Sequence, residues 1–86
     1  MSEIKGTIVD VRTRAEFSGG HVPNSINIPL QEILEHEAAL FEMESPVIFC
    51  CASGGRSGQA THYFQSKGLN CENGGRWMEV NFKLNN

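Results

Sequence analysis

The side chains able to do covalent chemistry gather in one stretch, Cys50-Cys51-Ala52-Ser53-Gly54-Gly55-Arg56-Ser57. Two adjacent thiols are followed by paired glycines, a permanent cation and a hydroxyl. Paired glycines let a backbone curl without Cβ clashes, so several N–H groups can point into one concavity. A helix starting at the far end of such a loop adds partial positive charge, and Arg56 adds a full one. Each favours thiolate over thiol, so Cys51 is expected to be an electropositive, partly exposed cysteine with a depressed pKa. The same cradle would stabilise an anionic substrate or a persulfide on the sulfur. Reading Cys51 as a small buried hydrophobe beside a tight turn leaves the combination of Cys, two Gly, Arg and Ser without a reason.

The flanking sequence supplies elements to hold this loop. Thr7-Ile8-Val9-Asp10-Val11 is a β-branched run that reads as a buried strand. Thr13 to Ser18 fits one or two helical turns, with Thr13 as N-cap and Glu16 completing a capping box. Gly19-Gly20 ends it. Ser25 to Ile28 is a second short strand, stopped by Pro29. Leu30 to Met43 is the longest helical candidate, with Leu30, Leu34, Ala38 and Phe41 along one face. Glu32, Glu35, Glu42 and Glu44 mark its solvated side, and Ser45-Pro46 breaks it.

Val47-Ile48-Phe49-Cys50 is apolar without alternation, as in a middle strand of a parallel sheet covered on both faces. Ser57 to Lys67 reads as a helix with Ala60, Tyr63 and Phe64 inward and Gly68 as its C-cap. Leu69 to Glu72 is a last short strand, and Gly74-Gly75 opens a C-terminal helical turn around Trp77 and Val80. Strands alternating with helices imply a parallel α/β sheet, here of about four strands. Function in such sheets sits at the carboxyl ends of the strands, where Cys51 falls.

Composition bounds the rest. The 86 residues fit one domain over 1–86 and exclude a two-domain enzyme or a TIM barrel. A hydrophobic share of 40% with 20% charged residues is a globular balance. The net charge of −3 argues against nucleic acid as a partner. No apolar run approaches the ~20 residues that span a bilayer, so no membrane partner is expected. Met-Ser-Glu-Ile-Lys has no apolar leader core, which points to the cytoplasm, or to the periplasm if a leader has been removed. Three cysteines, Cys50, Cys51 and Cys71, without a CxxC spacing predict neither a disulfide framework nor a metal site.

Two separated segments in the right order resemble the rhodanese-like sulfurtransferase family, most closely the small single-domain phage-shock-type thiosulfate sulfurtransferases. The first is Ile8-Val9-Asp10-Val11-Arg12 through Glu16-Phe17, then Gly20-His21-Val22-Pro23-Asn24-Ser25-Ile26-Asn27-Ile28-Pro29. The second is Val47 to Ser57, the family's active-site loop, with Gly68 and Glu72-Asn73-Gly74-Gly75 matching its C-terminal portion. The resemblance implies a small three-layer domain, helices on both faces of the sheet, and no cofactor. It implies a two-step reaction in which Cys51 takes the outer sulfur of thiosulfate as a persulfide and passes it to a thiol, cyanide or protein thiol. Amides from Ala52, Ser53, Gly54, Gly55 and Arg56 would hold that persulfide, and Arg56 would attract the anionic donor. The family often carries Trp where this chain has Val80, with Trp77 nearer the glycines. The strand and helix that longer members place before Asp-Val-Arg are absent ahead of Ile8.

Two other classes compete. A non-enzymatic sulfur-relay or protein-interaction domain on the same scaffold would be expected to lose the cysteine or the glycines, and this chain keeps both. Counted from Cys50, the spacing of cysteine, five residues, arginine and serine matches the phosphate loop of cysteine-dependent phosphatases, with arginine bidentate to a phosphoryl group. Against it, Phe49 stands where those enzymes place His, and Asp10, the only Asp, is read as fixing the local turn. Cys50 is also needed to carry the strand to its end.

Among secondary residues, Arg12 follows a strand end and either faces the edge of Cys51 or pairs with Glu16 four residues on. His21 reads as structural and His36 as exposed, Cys71 and Trp77 as core, and Cys50 as pointing to the opposite face from Cys51.

Overall fold

A computed structural model describes residues 5–84; the Met-Ser-Glu-Ile segment read for a leader lies outside the described residues. Four strands, β1 (Thr7–Asp10), β2 (Ile26–Asn27), β3 (Val47–Cys51) and β4 (Cys71–Arg76), form a parallel sheet in the order β2-β1-β3-β4. The helices are α1 (Arg14–Ser18), α2 (Glu37–Glu42), α3 (Gly55–Ser66) and α4 (Trp77–Leu84), with a 3-10 helix at Leu30–His36.

β3 lies inside the sheet, and every one of its residues is buried. Its side chains alternate between two cores, as extended geometry requires. Val47, Phe49 and Cys51 join Val9, Leu40, Ala60 and Phe64 on the side covered by α2, α3 and the 3-10 helix. Ile48 and Cys50 join Ile8, Val22 and Val80 on the side covered by α4. Three layers follow: helices, sheet, helix.

α1 starts as its sequence dictates. Thr13 Oγ1 accepts the Glu16 N–H at 3.2 Å, and Glu16 Oε1 accepts the Thr13 N–H at 2.9 Å. α3 closes with the Gly68 N–H on the Gln65 carbonyl and the Leu69 N–H on that of Phe64, both at 3.0 Å.

Two elements differ from the sequence reading. The single helix expected over Leu30 to Met43 is a 3-10 helix followed by α2. Three residues per turn align Leu30 with Ile33 rather than with Leu34. Ile33 and Leu40 are therefore the buried residues, while Ala38 is exposed and Leu34 and Phe41 are 59% and 43% exposed. The last strand covers Cys71–Arg76 instead of Leu69 to Glu72, so Gly74-Gly75 lies within it rather than opening a helix. Its pairing slips at the glycines: Phe49 faces Asn73, yet Cys50 faces Gly75. Gly74 is the extra residue of this bulge. A Cβ there would lie 2.8 Å from Ile48 Cγ2 and 3.0 Å from Val80 Cγ2, so α4 packs on the strand only over glycine.

Candidate active site

Cys51 is the last residue of β3, at the carboxyl end of an inner strand. The chain then turns through Ala52 to Gly54 into α3. Gly54 has φ of +100°, a left-handed conformation open to glycine at little steric cost, and this folds the loop back over the sulfur. The Gly54 N–H donates to Cys51 Sγ at 3.0 Å and the Ser57 N–H at 3.4 Å. Ser57 Oγ lies 3.3 Å from the same sulfur. Burial pushes the thiol pKa up, but the Ser57 hydroxyl and the N–H groups of Ser57, Ser53 and Gly54 outweigh it, and the net direction is down. The expected thiolate-favouring cradle is present. The amides that act on the resting sulfur are those of Ser53 and Gly54 from the expected run and, one position beyond it, Ser57.

Cys51 is fully buried, which corrects the expectation of partial exposure. Its side chain points towards α3 and packs in the larger core, with the exposed Ala52 and Ser53 at the loop crest.

Arg56 does not stand free. It donates to both carboxylate oxygens of Glu16, at 2.8 and 3.0 Å. That pairing, followed by the Thr13 N–H bond, pulls the Glu16 pKa down to about 2. Glu16 thus serves both the cap of α1 and the first turn of α3. A groove of about 210 Å³ lined by Val11, Thr13, Arg14, Leu30 and Glu32 reaches Arg56.

Arg12 does not form the ion pair with Glu16 offered for it; its carboxylate partner is Asp10. It is buried and forms a fork with Asp10, Nε and Nη2 donating at 3.0 and 2.7 Å to the carboxylate. Its remaining bonds go to the carbonyls of Glu16 and Gly20, and its guanidinium lies 4.8 Å from the centre of the Trp77 ring. Trp77 packs on the second core, away from the Cys51 side. Asp10 also accepts the Arg12 N–H at 3.0 Å, which is the turn-fixing role expected of it.

Cys50 lies in the second core, on the other face of β3 from the cradle. Burial, then the Asp10 carboxylate, pushes its thiol up to about 12, the reverse of what a phosphatase nucleophile requires. Cys71 is buried in β4 and burial raises its pKa as well. His21 stacks on Phe17 and bonds its carbonyl at 2.7 Å; His36 and His62 are exposed.

Sequence reasoning missed two partners of the site. Glu16 was legible as a cap and as a possible partner of Arg12, but not as the partner of Arg56. Asn73 was legible only as part of a Gly-Gly turn, yet its Oδ1 accepts from the Ser57 hydroxyl at 2.7 Å and its Nδ2 donates to the Gly54 carbonyl at 3.2 Å.

Residues 1–80 match the family model described as Rhodanese-like domain. The chain is 33% identical to YqhL of Bacillus subtilis (strain 168) over 74% of its own length and 50% of that protein's, so it spans half the length of that relative. It is 34% identical to the human thiosulfate:glutathione sulfurtransferase, over 74% of this chain and 67% of that one. The structure of a rhodanese-related protein from Thermoplasma volcanium superposes with a TM-score of 0.77 at 31% identity, covering 90% of this chain and 76% of that chain.

Proposed function

The chain belongs to the rhodanese-like domain family, and from that premise we propose that it is a thiosulfate sulfurtransferase with Cys51 as its sulfur carrier. The observation that carries the reading is the convergence of the Gly54 and Ser57 N–H groups and the Ser57 hydroxyl on one sulfur at the carboxyl end of β3. In the first half-reaction the Cys51 thiolate attacks the outer sulfur of thiosulfate. A new S–S bond forms, the old one breaks with its electron pair on sulfite, and a persulfide anion remains on Cys51. In the second half-reaction a thiolate or cyanide attacks that terminal sulfur, and the Cys51 thiolate leaves. Donors aimed at the sulfur before reaction need no reorganisation during it, and they serve Cys51 both as nucleophile and as leaving group. Arg56 attracts the anionic donor once its hold on Glu16 is exchanged.

The test is the mass of the reduced protein after incubation with thiosulfate. A gain of one sulfur atom, mapped to Cys51 and released by cyanide as thiocyanate, is the expected result. No gain rules out thiosulfate as the donor, and a gain on Cys50 overturns the assignment of the carrier.

A further inference from the structure

We infer that Asn73 is a positioning residue for Cys51: it is the alternative acceptor for the single proton of the Ser57 hydroxyl, which turns between Asn73 and the sulfur as the sulfur's charge changes. The Ser57 side chain is fully buried, with Oγ 2.7 Å from Asn73 Oδ1 and 3.3 Å from Cys51 Sγ. A hydroxyl has one proton to give, so it cannot donate to both.

The surroundings of Asn73 make the exchange balanced. Its Oδ1 also accepts the Gly75 N–H at 2.9 Å, and its Nδ2 is held by the Gly54 carbonyl at 3.2 Å. These two bonds fix which end of the amide faces Ser57. The Gly75 bond also keeps Oδ1 partnered when the Ser57 proton turns away, so no acceptor is orphaned. The bulge at Gly74 and the lack of a side chain at Gly58, where a Cβ would sit 3.3 Å from Nδ2, provide the space.

With Cys51 as a neutral thiol, S–H donates to Ser57 Oγ and Ser57 donates to Asn73. With Cys51 as thiolate the sulfur is only an acceptor, and the hydroxyl turns to it. The role in turnover rests on the proposed reading of Cys51 as sulfur carrier. In the persulfide the formal charge moves to the outer sulfur, and the Ser57 proton returns to Asn73. Each half-reaction then exchanges one hydrogen bond for another instead of losing one.

The experiment is a pH titration of thiolate ultraviolet absorbance on the full chain, with Cys51→Ser identifying the Cys51 step. Ser57→Ala removes the donor and raises the midpoint by roughly half to one pH unit, the size of one net hydrogen bond. Asn73→Ala removes the competing acceptor and lowers it by a similar amount. The double variant titrates where Ser57→Ala does, because Asn73 acts only through Ser57. The charged and titratable groups around Cys51, namely Arg56 from α3, Glu16 from α1, Asp10 from β1, Arg76 opposite it on β4 and Cys50 beside it, are unchanged throughout.

An unchanged or raised midpoint in Asn73→Ala overturns the inference, as does an equal shift with and without Ser57. Should Asn73→Ala not fold, Asn73→Asp carries the test. Its stronger acceptor raises the midpoint more with Ser57 present than in Ser57→Ala, and equal rises overturn the inference. The titration uses no sulfur donor, so it stands or falls apart from the thiosulfate experiment.

Discussion

Arg56 and Glu16 put two demands on one guanidinium. The pair ties the first turn of α3 to α1 across forty positions of sequence, and the same cation is the one proposed to receive an anionic donor. With its pKa pulled down to about 2, Glu16 is ionised near neutral pH, so it competes with that donor. Partly exposed ion pairs are weak and exchangeable. Glu16→Gln should therefore lower the KM for thiosulfate by roughly two- to fivefold with kcat little changed, the scale of such a pair. Glutamine in the third helical position still completes the capping box, so α1 keeps its start. Arg56→Gln should raise KM instead. Steady-state thiocyanate formation measures both, and a Glu16→Gln variant with unaltered KM would show that Arg56 does not bind the donor.

Among the elements, the segment from Leu30 to Glu42 shows where a sequence pattern loses its phase. A period of 3.6 assigns Leu30, Leu34, Ala38 and Phe41 to the core, but the first two turns run at three residues each. Ile33 and Leu40 take the buried places. Leu40→Ala should cost about 2–5 kcal/mol, the range for emptying a filled core position, whereas Leu34→Ala should stay within about 0.5 kcal/mol. Urea denaturation of both variants checks this, and a larger loss for Leu34→Ala than for Leu40→Ala would mean the helix face is the one the sequence suggested. The capping box of α1 and the apolar run of β3 were legible because each is specified by neighbours in the chain. β4 was not, since Gly74 is glycine to admit Ile48 and Val80, residues distant in sequence. The site divides the same way. Cys51 and its loop amides lie within one short motif, while Glu16 and Asn73 reach it from other elements.

Across the whole molecule, β3 places two neighbouring thiols in opposite environments. Cys51 faces the larger core, and loop donors bring its pKa below that of an ordinary thiol. Cys50 faces the smaller core beside Asp10, where burial and then that carboxylate oppose its ionisation up to about pH 12. One strand thus holds one thiol whose ionisation its surroundings favour and one whose ionisation they oppose, which is why the proposed chemistry is assigned to a single side of the sheet.

The arrangement also has a consequence for stability in alkali. A group whose folded pKa is raised contributes fully below its unfolded pKa and loses that contribution as pH climbs through the folded value. For Cys50 the window runs from the ordinary thiol value, 9.0, to about 12. Cys50→Ala should melt below the parent at neutral pH, because it leaves a small buried space. Only the parent then gives up the Cys50 contribution as pH rises, so the gap between the two melting temperatures should narrow steadily across that window. Lysine and tyrosine titrations act on both proteins alike. A gap that stays constant from pH 9 upwards would mean that Cys50 ionises in the folded protein as it does in the unfolded chain, and that the second core does not exclude its charge.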